Sequence, residues 1–114
     1  MKTLDDIELT PRDRDALDDA IHILKRQFPT ARVILFGSKS RGTGNTESDM
    51  DLLVLTTRKL TWREKDAITD ALYDVELKHE VVISTLVATD EEWENGTFSI
   101  MPIHAEVAHD GIEV

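Results

Sequence analysis

Apolar residues recur along this chain at two spacings, and the switches between them mark its elements. Leu17, Ala20, Ile21, Leu24 and Phe28 share one face at the helical repeat. Thr10-Pro11-Arg12-Asp13 ahead of them supplies a capping hydroxyl, a proline suited to the first helical position and a carboxylate for the positive end of the dipole. Pro29 stops that helix. Arg32 to Phe36 is β-branched and apolar, a buried strand. Gly37 through Ser48 is rich in Gly, Ser, Thr and Asn, a loop with at most one helical turn. Asp49 to Thr56 reads as the second strand. Thr61-Trp62-Arg63-Glu64 is a capping box, opening a helix with Ala67, Ile68, Ala71, Leu72 and Val75 on one face. Glu80 to Val87 reads as the third strand. In the tail, Asp90-Glu91-Glu92-Trp93 starts a turn of helix, and Ser99 to His109 forms a short helix closed by Gly111. The order is helix, strand, Gly-rich loop, strand, helix, strand, then a partly helical tail. It describes an α+β or α/β-like chain, a small sheet with helices packed on it.

Composition narrows the function classes. The chain has 114 residues, enough for one domain spanning 1–114 with a small core. Its net charge of −10 opposes unaided binding to duplex nucleic acid, which needs Lys and Arg to displace counterions. Nucleotides stay open, because divalent cations can supply the missing positive charge. No cysteine is present, which excludes disulfides and Cys-based zinc sites. The N-terminus has no apolar run of the signal-peptide kind, and no segment approaches the roughly 20 apolar residues of a membrane span. A cytoplasmic protein with no membrane contact is expected.

Two short segments carry chemistry. In Phe36-Gly37-Ser38-Lys39-Ser40-Arg41-Gly42 a strand runs into a glycine, a hydroxyl and a helical turn. Such a junction offers backbone N–H groups to a phosphate, with Lys39 and Arg41 adding charge. In Ser48-Asp49-Met50-Asp51-Leu52 two carboxylates stand two apart at the start of an apolar strand, so both point to one face. Close carboxylates repel, and a divalent cation relieves the repulsion. Taken alone, each segment has a plain explanation as a turn or a solvated strand start; their order across two strands is what makes a site.

Gly37-Ser38-x-x-Arg41-Gly42 followed by Ser48-Asp49-x-Asp51-Leu52 resembles the signature of the DNA polymerase β-like nucleotidyltransferase superfamily. In length the chain resembles its minimal members, the MNT proteins, which are often antitoxins paired with a HEPN toxin. The strict motif runs from Gly37 to Leu52, and the order of elements agrees over positions 10–88. The resemblance implies a small mixed sheet and a single minimal nucleotidyltransferase domain. Gly37, Ser38 and Arg41 would then hold the phosphates of ATP, and Asp49 and Asp51 would bind one or two Mg²⁺ ions. A third carboxylate, usually Asp, is expected at the start of the strand after the second long helix. Glu80 is the candidate for it, as metal ligand and as the group that helps deprotonate the acceptor. The implied activity is AMP transfer to a tyrosine of a cognate HEPN toxin. Glu where the family has Asp favours an alternative, neutralising the partner by contact alone; a third reading is nucleotidyl transfer to a small molecule.

Other features read as structural. His22, His79, His104 and His109 are too scattered for zinc. Asp90 to Glu94 is a solvated surface or a docking patch anchored by Trp93. Trp62 packs at a helix start. Ile100, Met101, Ile103 and Val107 close the core or form a homo-oligomer contact.

Overall fold

The computed structural model describes residue 4 and residues 7–41 and 49–114. The first helix, α1 (Pro11–Gln27), begins as its sequence dictates, with the Thr10 hydroxyl accepting a hydrogen bond from the Asp13 N–H at 3.1 Å. It buries Ala16, Leu17, Ala20 and Leu24. Strand β1 (Thr30–Phe36) leads into a single helical turn, α2 (Ser38–Arg41). Strand β2 (Met50–Thr56) is followed by α3 (Trp62–His79). Its capping box is closed in both directions: the Glu64 N–H donates to Thr61, and the Thr61 N–H donates to the Glu64 carboxylate. Arg58 grips the same carboxylate through two hydrogen bonds of 3.0 and 2.6 Å, and its guanidinium holds the Glu64 carboxyl down at about 2. Strand β3 (Ile83–Thr89), α4 (Asp90–Glu94), a 3₁₀ turn (Thr97–Ile100), α5 (Pro102–Asp110) and β4 (Ile112–Glu113) complete the order.

The sheet runs β3-β2-β1-β4 and is mixed, with β1 antiparallel to both β2 and β4 and β2 parallel to β3. Alternation along the strands gives two cores. Val33, Leu35, Leu52, Val54 and Ile83 face α1 and α3. Ile34, Leu53, Leu55 and Ala88 face the other way, onto Trp93 and Val107. Each buried Val, Leu or Ile among them stabilises the fold by about 1.5–3 kcal/mol. The sheet is therefore a middle layer, with α1 and α3 on one face and α4 and α5 on the other.

Some sequence expectations need correction. Strand β3 begins at Ile83, three residues after Glu80. Helix α3 extends to His79, and Glu80 caps it in the left-handed region at φ 56°, its N–H bonded to the Glu76 carbonyl. No glycine marks that cap, so the helix end was hidden in the sequence. Trp93 is not a surface anchor: it is 4% exposed, stacked on His104 at 4.8 Å. Trp62 does not pack at the helix start: it is 69% exposed, with Arg63 lying over its ring. Gly111 ends α5 without a left-handed residue, and a Cβ there would overlap the Val107 carbonyl and crowd Ile34. Close packing, not turn conformation, requires that glycine.

Candidate functional site

The site is built where β1 ends and β2 begins, because their antiparallel register places Phe36 opposite Asp51. Gly37 turns the chain with φ 77°, a conformation that side-chain-bearing residues seldom adopt. Its carbonyl accepts from the Arg41 N–H at 3.3 Å and from the Ser40 hydroxyl at 2.8 Å, which closes α2 as one turn. A Cβ added to Gly37 would collide with the Asp51 carboxylate oxygen Oδ2. The turn therefore sits directly against the second aspartate, and both the backbone angle and the space require glycine.

Ser38 is the first residue of α2, at the end where backbone N–H groups are free of helical partners. Lys39 does not reach toward a phosphate. It is buried in an ion pair with Asp13 of α1 at 2.7 Å, both side chains about 5% exposed or less. That pair fixes α2 against α1. Arg41 lies on the open side, paired with Glu106 at 3.5 Å and Asp110 at 3.8 Å, both on α5.

Asp49 is exposed and Asp51 half-buried. Burial pushes the Asp51 carboxyl above its usual range, the negative charges of Asp49 and Glu106 push it further, and Arg41 opposes them. The position thus carries more negative charge than its protein neighbours neutralise. Two carboxylates so placed fit a divalent cation, which takes one or two carboxylates together with substrate phosphates. Gly37, Arg41, Asp49 and Asp51 come together as the sequence suggested. Gly42 and Ser48 of the motif lie outside the described residues.

Glu80 stands at the cap of α3, exposed, and is absent from the charges that act on Asp51. The β3 residue in register with Asp51 is Ser84. Among the described residues no group of three or more His, Cys, Asp or Glu is clustered to hold a metal ion. Glu106 is the carboxylate that sequence reading missed. No motif marks it; only the need to cover the second sheet face brings α5, and Glu106 with it, toward β2.

A mixed sheet whose first strand ends in a glycine turn seated on the Asp-x-Asp of the second is an α/β domain with backbone N–H groups set beside a carboxylate pair. The chain belongs to the Polymerase beta, Nucleotidyltransferase family, which matches residues 18–96. That stretch includes Gly37, Ser38, Arg41, Asp49, Asp51 and Glu80, and ends before Glu106. A Methanocaldococcus jannaschii protein named "Putative protein adenylyltransferase MJ0141" is 41% identical over 56 residues, 49% of this chain. The chain covers 57% of that relative's length. Two solved structures share the fold at 15% identity. One is from a toxin-antitoxin crystal structure with AMP-PNP, with a TM-score of 0.60 over 89% of this chain and 71% of that one. The other is from a mutant of the toxin-antitoxin MntA-HpeT, with a TM-score of 0.56 over 94% and 72%. Among the described residues, no helix is long and apolar enough to cross a membrane.

Proposed function

We propose that this chain is a Mg²⁺-dependent adenylyltransferase that acts in the cytoplasm as antitoxin to a HEPN-type toxin, moving AMP from ATP to a tyrosine hydroxyl of that partner. The observation that carries the reading is the Gly37 turn seated on the Asp51 carboxylate. Backbone N–H groups and a carboxylate pair lie within one ligand's reach there, which supports phosphate on the first and a cation on the second. The name of the M. jannaschii relative and the two toxin-antitoxin neighbours support the protein acceptor.

Each residue has a physical task. The N–H groups from Gly37 onward and the Ser38 hydroxyl hold the β- and γ-phosphates. Arg41 swings from Glu106 and Asp110 to a phosphate oxygen. Asp49 and Asp51 would hold Mg²⁺, which when bound neutralises leaving-group charge. The tyrosine oxygen forms a bond to the α-phosphorus, the bond from that phosphorus to the α–β bridging oxygen breaks, and pyrophosphate leaves. The phenolic proton passes to a nearby carboxylate or to water; Glu80 is the candidate from the family pattern. Positioning and charge dominate such transfers.

One observation favours a second reading, neutralisation by contact without catalysis. The β3 residue beside Asp51 is Ser84, and Glu80 stands outside that strand. Incubation with labelled ATP, Mg²⁺ and the purified product of the adjacent gene separates the two. Label on that partner, lost in Asp49→Asn/Asp51→Asn, is the expected result. Neutralisation by the unlabelling double variant would establish the second reading instead.

A further inference from the structure

Helix α3 is 18 residues long, yet it buries only Ile68, Leu72 and Val75. Its far side carries Trp62, Tyr73 and Leu77, exposed by 69%, 54% and 62%. At 3.6 residues per turn these three fall within an arc of roughly 60°, and at 1.5 Å per residue they span about 22 Å. Asp66 lies inside that arc, and Asp70 and Asp74 follow beside it at four-residue spacing. Among the described residues none of these aspartates forms an ion pair; the helix's acidic pairing is confined to Glu64 with Arg58. Like charges four apart cost a helix about 0.2–0.5 kcal/mol per pair. The isolated chain thus carries both exposed apolar surface and internal repulsion along one line, and neither helps it fold.

The stripe also leads to the edge of the sheet where β2 begins. Beyond Leu77 the chain turns through Glu80 to Val82, itself 51% exposed. The Val82 carbonyl accepts from the Met50 N–H at 2.8 Å, at the start of the strand that carries Asp51. A body lying along α3 therefore reaches the end of the sheet where β2 begins, on the Met50 side, while Asp51 projects from the opposite face with Leu53 and Leu55.

We infer that the Trp62–Tyr73–Leu77 stripe is the docking face for the acceptor protein, a partner that offers Lys or Arg side chains around an apolar socket. This rests on the reading that the chain acts on a protein. Charge decides the occupant. A second copy meeting this face about a twofold axis would set the row Asp66, Asp70, Asp74 against itself. A basic partner turns the same row from a cost into attraction, and the chain's net charge of −10 steers its approach. Trp and Tyr are the residue types that most often dominate such contacts.

The test is titration calorimetry with the purified product of the adjacent gene. Tyr73→Ala/Leu77→Ala should weaken binding at least ~30-fold. Asp66→Asn/Asp70→Asn/Asp74→Asn should weaken it about tenfold and flatten its salt dependence. Both variants should keep the wild-type Mg·ATP affinity and neither should melt below wild type, because these side chains touch neither core nor site; the triple aspartate variant should melt slightly higher as its repulsion is relieved. Asp51→Asn should bind the partner as wild type does while losing transfer. Wild-type affinity in the first two variants would overturn the docking face and leave the transfer reading standing. A partner that fails to bind the wild-type chain would overturn both. A wild-type dimer in sedimentation that dissolves on Tyr73→Ala would make a second copy the occupant, and would also overturn the inference.

Discussion

The buried pair of Lys39 and Asp13 gives the sharpest quantitative test, because it joins α2, the turn after Gly37, to the scaffold. The contact is 2.7 Å and the side chains are 5% and 4% exposed. Removing one partner from such a pair leaves the other charge buried and unpaired, which costs about 3–5 kcal/mol. A chain of 114 residues has a total stability of roughly 6–17 kcal/mol at the usual per-residue value. Lys39→Met alone should therefore remove between about a fifth and four fifths of it. At a urea slope of about 1.5 kcal/mol per molar, the unfolding midpoint should fall by roughly 2–3 M.

Replacing both partners gives a different outcome. Asp13→Leu/Lys39→Met removes both charges and fills the space with apolar atoms, a change that is often neutral or stabilising. The residual loss should be near ~0.3–1 kcal/mol, the value of a carboxylate in the first turn of a helix. The Thr10 cap survives, because it uses the Asp13 backbone N–H. Urea denaturation of the two single variants and the double variant forms a complete cycle. Additivity of the two single losses within about 0.5 kcal/mol would refute the reasoning, since independent sites behave that way.

Other outcomes follow from the same structure. Gly37→Ala should cost about 1–2 kcal/mol for the left-handed backbone, and because its Cβ meets Asp51 it should lower Mg·ATP affinity at least ~10-fold in titration calorimetry. Asp51 has a raised carboxyl, so the folded chain holds that proton more tightly than the unfolded one, and its contribution to stability falls as pH rises through the raised value. Asp51→Asn should therefore melt higher than wild type at neutral pH without metal, and Mg²⁺ should raise the melting temperature of the wild type alone. Glu64 is held down at about 2 by Arg58, so its contribution is complete above 4.5 and is lost as pH falls toward about 2. Glu64→Gln should flatten that limb of an acid-unfolding curve. Leu53→Ala, which opens the core under α4 and α5, should cost about 2–5 kcal/mol in the same denaturation assay.

What the sequence disclosed and what it hid divide along a physical line. Capping boxes, strand alternation and the proline-led start of α1 are local, and each appears at the position its residues specify. The Gly37 turn was legible for the same reason; the Asp49/Asp51 pair was read from strand parity, though β2 begins at Met50 and leaves Asp49 just before it. The buried partner of Lys39 was not legible, because Asp13 lies 26 residues away and nothing in either neighbourhood names the other. Strand β4 has only two residues and is defined by pairing with Ile34 and Leu35 rather than by any pattern of its own. Trp93 sits in an acidic run that reads as surface, yet its four-residue neighbours turn outward while the indole closes the second core.

The same line runs through the site and decides what its chemistry turns on. The half proposed to hold nucleotide and cation is set by one hairpin-like register, so it stands wherever β1 and β2 pair. The acceptor half depends on where α3 ends, and an unmarked left-handed cap at Glu80 moved the strand start away from the carboxylate that the family pattern assigns there. Glu106, brought in by a tail helix that the family match does not reach, supplies negative charge that acts on Asp51. If Glu80 takes the acceptor proton, Glu80→Gln should lower the rate of transfer and leave Mg·ATP affinity unchanged. If Glu106 serves only to park Arg41, Glu106→Gln should tighten nucleotide binding instead, by the few-fold that a half-exposed ion pair is worth. A slower transfer at unchanged affinity in Glu80→Gln, with tighter binding in Glu106→Gln, would assign each carboxylate its task; equal losses in both would show that a single acidic ring, not two separate roles, serves the reaction.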